Sequence, residues 1–182
     1  MPETIEGRVA VVVGDDVSTG DMAPDGAIGM SLWSDAAACA EWMFRRQDPE
    51  FPARVREWGG GLIVGGHNYG QGSSREVAAI APLDLGIRAV VAKSFARIHR
   101  RNLICQGIVP LSFAAEADAD GIAVGDTWRI DGAREAVERG AEEVTADAGG
   151  RRIALRLTLS PGEREMLLAG GLLALLRSRT AA

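Results

Sequence analysis

Two consecutive strand–loop–helix–strand passages in the middle of the chain constrain the fold most. Residues 62–64, 89–92 and 108–113 are short apolar runs typical of strands, and apolar residues at helical spacing predict helices over 75–85 and 95–104. The strands are apolar throughout instead of alternating, which is typical of strands buried on both faces. The pattern therefore predicts an α/β fold with a parallel sheet flanked by helices.

The flanking segments extend this unit without dividing it. An apolar run over 9–13 predicts a further buried strand, and an alanine-rich stretch over 35–46 predicts a helix. Beyond residue 113, short strand-like runs joined by Gly and Asp turns predict a small β-rich C-terminal part, which a helix over 163–177 closes. The chain has 182 residues and no long linker, so we expect a single domain covering residues 1–182.

Composition and charge exclude several classes of function. The net charge of −5 disfavours a nucleic-acid partner, because binding the phosphate backbone needs a basic surface. Cys39 and Cys105 are the only cysteines, and neither belongs to a C-x-x-C pair, so we expect no metal site in this chain and two thiols in a reducing cytoplasm. The apolar runs near both ends are too short for a membrane span. We therefore expect a cytoplasmic protein without nucleic-acid or membrane partners.

A glycine-rich loop, GQGSS at residues 70–74, lies between a predicted strand and a predicted helix. Such a loop brings backbone N–H groups and the positive end of a helix dipole to one point, where an anion is favoured. Arg75 follows directly, and a cation at a helix N-terminus opposes the dipole unless it clamps a carboxylate or phosphate. A serine hydroxyl at such a place has its alkoxide form favoured and could act as a base.

A structural role for the two serines stays open at this point. Ser73 or Ser74 could be the N-cap of the following helix, with Glu76 completing a capping box, although a cap requires neither glycine of the loop. The spacing matches neither a Walker loop nor the Gly-x-Gly-x-x-Gly and Gly-x-Ser-x-Gly patterns. Since His67 and His99 are the only histidines, a serine-hydrolase triad has little support.

Neighbouring residues receive structural assignments from the sequence. We expect His67 and Asn68 to hold the loop by hydrogen bonds, and Lys93 and Ser94 to cap the start of the second helix. For His99, packing or capping of that helix is favoured over contact with a substrate.

Three longer motifs, "VGDDVSTGDMAPDG", "GGHNYGQGSSRE" and "RAVVAKSFARIHRRNLICQGIVPLSF", closely resemble the swivelling domain of the aconitase and isopropylmalate isomerase superfamily. The resemblance covers about residues 9–113 and implies a three-layer β/β/α fold that closes over a [4Fe–4S] cluster held by three cysteines of a separate, larger part. Because that part is missing here, the chain resembles the small subunit of a two-subunit enzyme. The implied partner is a large iron–sulfur subunit, and the implied cluster belongs to that subunit and not to this chain.

The resemblance also implies an activity, that of a hydro-lyase acting on a 2-hydroxy di- or tricarboxylate. Ser73 matches the family's catalytic base, whose alkoxide removes a proton next to a carboxylate while cluster iron acts as a Lewis acid on the departing hydroxyl. Ser74 and Arg75 match residues that help to bind the substrate's carboxylate. We group Gly72 and Gln71 with them as substrate-binding residues, because the glycines of the loop let a carboxylate approach the backbone.

Around the loop the chain departs from the family's pattern. Where aconitases have Thr-Asp-His, this chain has a Thr-Gly-Asp sequence that ends at Asp21. A serine of many family members becomes Ala23, an arginine that grips a substrate carboxylate aligns near Trp33, and a histidine becomes Val77. We therefore assign Asp21, Ala23 and Trp33 a part in substrate specificity.

These departures favour one substrate class over another. Losing a bidentate carboxylate ligand disfavours citrate, whereas a large apolar residue suits the alkyl group of isopropylmalate or another 2-alkylmalate. Trp33 could instead begin a buried helix face with Leu32 and Trp42. Two further alternatives stay open, a citrate/isocitrate isomerase subunit and a catalytically degenerate relict that binds an anion in a regulatory role. The intact Gly-Ser-Ser-Arg motif favours an enzyme over the relict.

Overall fold

The computed structural model describes residues 1–24 and 26–180. Within this part, seven strands form one sheet that closes on itself in the order β1-β2-β3-β4-β7-β6-β5. The strands are β1 Ile5–Val12, β2 Gly61–Gly65, β3 Ile87–Ala92, β4 Val109–Phe113, β5 Thr127–Ile130, β6 Glu143–Ala148 and β7 Arg151–Arg156.

Short helices lie between the strands and after the last strand in the described part of the chain. They are α1 Thr19–Met22, α2 Gly26–Leu32, α3 Ala36–Ala40, α4 Phe51–Trp58, α5 Val77–Asp84, α6 Arg97–Cys105, α7 Ala133–Arg139, α8 Pro161–Ala169 and α9 Leu172–Thr180. A 3₁₀ turn over Glu116–Ala119 follows β4. None of these helices is long and apolar enough to cross a bilayer.

The sheet combines a parallel and an antiparallel half. Strands β1 to β4 pair in parallel, as the sequence predicted. Strands β5, β6 and β7 pair antiparallel with each other, and they also pair with β1 and β4, the two outer strands of the parallel half. The α/β class and the small β-rich C-terminal part are therefore confirmed, but the prediction of a mainly parallel sheet is wrong, because every pairing that involves β5, β6 or β7 is antiparallel. The C-terminal strands belong to the same sheet because they cover both edges of the parallel half, whose backbone groups would otherwise lack partners.

The two faces of the parallel strands are buried in two different cores, which explains why these strands are apolar throughout. Leu62 and Val64 of β2 belong to a core that residues of all seven strands share, with the fully buried Trp128 among them. Ile63, between them, belongs to a second core with residues of α3, α4 and α5. Alternate residues thus enter opposite cores, as the period of a strand requires.

Two predicted helices are shorter in the structure. The helix predicted over 163–177 is two helices, α8 and α9, because Gly170 and Gly171 between them have φ values of +90° and +113°. A Cβ on Gly171 would lie 2.7 Å from the carbonyl oxygen of Cys105, so the glycine lets this turn pack on the end of α6. The helix predicted over 35–46 ends at Ala40 and continues as turns.

The parallel half of the sheet determines where a site can form. Because β1, β2 and β3 are parallel neighbours, their carboxyl ends lie at one edge of the sheet. The segment after β1 leads into α1, residues 66–76 after β2 contain the glycine-rich loop, and the segment after β3 leads into α6. Residues far apart in sequence therefore meet at this edge.

Candidate active site

The glycine-rich loop is held in place by the segment that follows β1. The backbone N–H of Gln71 donates to the carbonyl oxygen of Val17 at 3.1 Å, and the N–H of Thr19 donates to the carbonyl oxygen of Gln71 at 2.9 Å. The hydroxyl of Thr19 donates to the carbonyl oxygen of Ser73 at 2.8 Å. The side-chain amide of Gln71 donates to the carbonyl oxygen of Asp16 at 3.2 Å, so it takes part in the same attachment. The backbone of Ser73 is thus fixed from a different part of the chain.

His67 and Asn68 hold the beginning of the loop by hydrogen bonds, which confirms the prediction for this pair. The N–H of His67 donates to a carboxylate oxygen of Asp15 at 2.7 Å. The side-chain amide of Asn68 donates to Asp16 at 2.8 Å. The imidazole of His67 lies 3.2 Å from the carboxylate of Glu116 and is exposed.

Four of the predicted site residues line a common cleft of about 200 Å³. They are Gly72, Ser73, Ser74 and Arg75. The two serines are exposed and Arg75 is half-buried. Gln71, which was grouped with them, does not line this cleft; its side chain faces the segment after β1 instead.

Neither serine of the loop caps the following helix. Helix α5 begins at Val77, its N-cap is Glu76, and no side chain accepts a hydrogen bond at this cap. Ser73, Ser74 and Arg75 all precede the helix. The capping alternative is therefore wrong, and so is the placement of Arg75 in the first turn of a helix.

The helix that does begin at the cleft is α6, whose first turn forms part of the cleft's wall. Its N-cap is Ala96, whose N–H donates to the carbonyl oxygen of Tyr69 at 2.9 Å. The hydroxyl of Ser94 accepts from the N–H of Asn68 at 2.8 Å instead of capping the helix. The prediction that Lys93 and Ser94 cap this helix is therefore wrong.

Gly70 lies directly on the imidazole of His99. Gly70 has a φ of +83°, and a Cβ at this position would lie 2.2 Å from Cδ2 of His99. His99 is 2% exposed, and its ring centroid lies 5.5 Å from that of Tyr69. Burial lowers the pKa of His99 to about 4, so the imidazole is neutral at neutral pH.

Replacing Gly70 tests whether this close approach matters for the fold. We expect Gly70→Ala to lower the free energy of unfolding by about 2–5 kcal/mol, because it adds a left-handed alanine and a clash with the ring. Gly121→Ala is the matched control, because Gly121 has a φ of +76° with no atom within 4 Å of the added Cβ. Urea unfolding measures both, and equal losses in the two variants would contradict the packing argument.

The buried imidazole predicts a dependence of stability on pH. The unfolded chain binds the proton of His99 near a pKa of about 6.5, whereas the folded chain binds it at about 4. The stabilisation is therefore present above pH 6.5 and is lost as the pH falls towards 4, by about 3 kcal/mol in total. Urea unfolding across this range should show a steeper loss for the wild type than for His99→Gln. Parallel curves would mean that His99 is not neutral in the folded chain.

A second cleft, of about 270 Å³, shares Ser74 and Arg75 with the first. Trp33, Val77 and Ile80 form its apolar wall. Trp33 is 45% exposed, so the alternative that places it on a buried helix face is wrong. Two positions at which the sequence departs from the family's pattern, those of Trp33 and Val77, thus lie beside the loop.

Asp21 and Ala23 do not line either of these clefts. They belong to a separate cavity of about 120 Å³ that Trp42 also lines. Burial alone would raise the pKa of Asp21, but hydrogen bonds from Ser18 and Gln47 outweigh it and lower the pKa below its usual value. Asp21 Oδ2 accepts from the backbone N–H of Ser18 at 2.9 Å and from its hydroxyl at 2.7 Å. Asp21 therefore stabilises the start of α1, and Ala23 is buried.

The residues that the structure describes do not fit an iron–sulfur cluster. Cys39 is fully buried, and its thiol donates to the carbonyl oxygen of Leu32 at 3.2 Å. Cys105 is half-buried at the end of α6. Among residues 1–24 and 26–180, no three His, Cys, Asp or Glu side chains are grouped so that they could hold a metal ion.

Two residues of the cleft, Thr19 and His99, are not predicted by the sequence to lie there. Thr19, which holds Ser73, stands in the sequence only within a motif. For His99 the sequence favours packing or capping of its helix, and the buried ring confirms packing. Both line the cleft, together with Arg97 of the same helix. The threonine stands in one motif and the arginine and histidine in another, so the sequence carries no local signal that they lie close together. Their proximity arises because β1, β2 and β3, which precede the segments that meet there, are parallel neighbours.

Comparison with known proteins identifies the class to which this fold and loop belong. A family model described as the aconitase C-terminal domain matches residues 36–116. The chain is 39% identical over 175 residues to the methanogen homoaconitase small subunit of Methanocaldococcus jannaschii. The matched region covers 96% of this chain and 92% of that protein. The chain therefore belongs to the aconitase family, and the part of the family that it matches is the C-terminal domain.

The solved structure of a 3-isopropylmalate dehydratase from Methanocaldococcus jannaschii superposes with a TM-score of 0.78 at 36% identity, covering 98% of this chain and 96% of that one. A putative mitochondrial aconitate hydratase of Emericella nidulans is 42% identical over 136 residues, which are 71% of this chain but 17% of that protein. The chain thus spans a small part of the aconitate hydratases it matches and nearly the whole of the archaeal small subunit.

Proposed function

We propose that this chain is the small subunit of a two-subunit [4Fe–4S] hydro-lyase that dehydrates or isomerises a 2-hydroxy di- or tricarboxylate, such as isopropylmalate or another 2-alkylmalate. The observation that carries the proposal is the cleft in which Ser73 and Arg75 lie together on a loop whose backbone other segments hold. The similarity in length and sequence to an archaeal homoaconitase small subunit supports the same proposal. As part of this proposal, the chain is a swivelling domain with a three-layer β/β/α fold.

In the proposed reaction Ser73 is the base. Its side chain is exposed in the cleft, and the hydrogen bond from Thr19 to its carbonyl oxygen fixes the backbone from which the hydroxyl extends. The guanidinium of Arg75 in the same cleft favours the alkoxide over the alcohol, because an opposite charge nearby favours the charged form of a group. The alkoxide takes the proton from the carbon next to a substrate carboxylate.

Ser74, Arg75 and Gly72 bind the substrate's carboxylate in this proposal. An arginine binds a carboxylate through two parallel hydrogen bonds, which orients the carbon that loses the proton. Gly72 has a φ of +94°, and within 4 Å of an added Cβ lie only side-chain atoms of Ser18 and Thr19, at 3.8 Å or more. A glycine here leaves the backbone accessible to a carboxylate.

The second cleft supports an alkyl-substituted substrate. The apolar wall formed by Trp33, Val77 and Ile80 lines the same cleft as Ser74 and Arg75. One molecule could therefore place a carboxylate at the arginine and an alkyl group against the tryptophan. Asp21 and Ala23, which lie in a different cavity, contribute to specificity only through the position of α1.

The proposed partner is a large subunit that carries the cluster. The two cysteines of this chain lie in separate environments, one fully buried in a core and one at the end of α6, so cluster ligands belong to the partner in this proposal. Neither cysteine forms a disulfide, which supports a reducing, cytoplasmic location. The similarity to aconitate hydratases favours a second candidate, a subunit that isomerises citrate and isocitrate.

Ser73→Ala tests the assignment of the base. In a complex with the large subunit, with the cluster rebuilt under anaerobic conditions, we expect kcat to fall by at least about 100-fold, because a general base typically contributes that much. Ser178→Ala is the matched control, since Ser178 lies in α9 and lines neither cleft. A competent complex that kept its activity after Ser73→Ala would contradict the proposed base, and a complex inactive on every hydroxycarboxylate would favour the relict.

Trp33→Ala tests the proposed substrate class. We expect the ratio of kcat/KM for an alkylmalate to that for citrate to fall by about tenfold or more, because an apolar pocket distinguishes substrates by about that factor for each alkyl carbon. Trp58→Ala is the control, because Trp58 precedes β2 and so lies at the opposite end of the sheet. An unchanged ratio in Trp33→Ala would favour the citrate candidate.

A further inference from the structure

His99 is a buried polar group that the proposed reaction has not yet used. It is 2% exposed, and neither of its ring nitrogens has a hydrogen-bond partner among the described residues. A buried polar group without a partner is costly, by about 1–3 kcal/mol, and such groups are rare in folded proteins. Packing against Gly70 and Tyr69 explains why a flat ring occupies this position. It does not explain why the ring is an imidazole instead of an apolar one.

The cleft beside His99 also contains the beginning of a helix that favours an anion. Helix α6 has nine residues, and its N-cap, Ala96, has no side chain that could accept from the first N–H groups. The first turn contains Arg97 and no acidic residue. The first N–H groups of a helix lack acceptors within the helix, and they form the positive end of its dipole. A cation in this first turn adds to the positive potential instead of neutralising it.

The charges of the cleft have one sign. Among the described residues that line it, Arg75 and Arg97 are the charged ones, and no aspartate or glutamate is present. Arg75 belongs to the glycine-rich loop, whereas Arg97 and His99 belong to α6, so the cleft has cationic groups on two walls. Asn102, one turn further along α6, adds a carboxamide to the second wall.

We propose that the N-terminus of α6 binds a second carboxylate of the substrate, with the neutral imidazole of His99 donating a hydrogen bond to it. This inference rests on the proposed function, because it takes the substrate to be a hydroxycarboxylate with at least two carboxylates. One carboxylate lies at Arg75, and the other lies at the first turn of α6, beside Arg97.

A neutral imidazole suits this task. As a donor it binds a carboxylate without the cost of burying a further charge in the cleft. The carboxylate in turn gives the N–H of the ring a partner that the described residues do not provide, so binding removes part of the cost of the unpaired ring nitrogens. A phenylalanine would fill the same space beside Gly70 but could not donate.

The test uses the full chain and the NMR signals of its imidazole nitrogens. The chain has two histidines, so His67→Gln identifies the signals of His99 and leaves the α6 site unchanged. The probe is malate, a small 2-hydroxy dicarboxylate, and its neutral diamide is the control ligand. We expect malate, and not the diamide, to shift the His99 nitrogen signals and the backbone amide signals of Arg97, and to raise the pKa of His99. If malate leaves the His99 signals unmoved, or if the diamide moves them equally, the proposal is wrong.

Two variants separate hydrogen bonding from packing. We expect His99→Phe to weaken malate binding by about tenfold or more, because a hydrogen bond to a charged group is lost. His99→Gln, which retains a donor, should recover part of the affinity. Equal weakening in both variants would mean that the ring acts only through packing. The wild-type titration decides the question even if His99→Phe fails to fold.

This test is independent of catalysis. Ser73→Ala should keep the malate-induced shift of the His99 signals, because Ser73 belongs to the glycine-rich loop and not to α6. One outcome is that malate leaves the His99 signals of the wild type unmoved while the activity of the complex still depends on Ser73. That result would overturn the α6 site and leave the proposed function standing. A retained shift in a chain whose complex is inactive would support the α6 site and contradict the proposed function.

Discussion

The contact of Gly70 with the imidazole of His99 is the constraint on which the geometry of the cleft depends. A side chain at residue 70 would occupy the position of the ring, so the loop can reach α6 only as a glycine with a left-handed φ. This approach brings Ser73 and Arg75 to the first turn of α6, and the hydroxyl of Thr19 then holds Ser73 from the opposite side. Gly70 has no side chain because the ring of His99, on α6, packs directly against it.

The closed sheet makes this arrangement rigid. The carboxyl ends of three parallel strands lie side by side at one end of the sheet. The segments that follow these strands are the one that holds the loop, the loop itself and α6. The antiparallel strands pair with both outer strands of this unit, so the sheet has no exposed edge at which it could open. Reactive groups on loops supported by such a scaffold keep their positions at little cost to the core.

The two clefts that share Ser74 and Arg75 have different chemistry. The one over α6 contains two arginines and the imidazole of His99, whereas the one beside Trp33 adds three apolar side chains and the carboxylate of Glu76 to the residues that the two clefts share. A molecule with two carboxylates and an alkyl group would fit both at once, which connects the proposed substrate class with the proposed second carboxylate site. In the proposed function the base lies on the loop, whereas the groups proposed to distinguish substrates lie just after α2 and on α5 and α6. Specificity could then change without a change of the base.

The sequence by itself determined the parallel strands, the loop between β2 and α5 and the family motifs, because apolar runs, glycines and helical spacing are local signals. Strands β2, β3 and β4 lie within a few residues of the predicted runs, and the residues of the glycine-rich loop other than Gln71 line one cleft. The family and the α/β class followed from these features. The serine roles also came from the motifs, and they remain a proposal.

Only the tertiary structure decided how these pieces meet. The closure of the sheet depends on pairing between β1 and β5 and between β4 and β7, which are far apart in sequence, so no local pattern specifies it. The start of α5 at Val77, the exposure of Trp33 and the burial of His99 likewise depend on which neighbours pack around them. Composition and spacing describe each segment, but burial and proximity are properties of segments brought together.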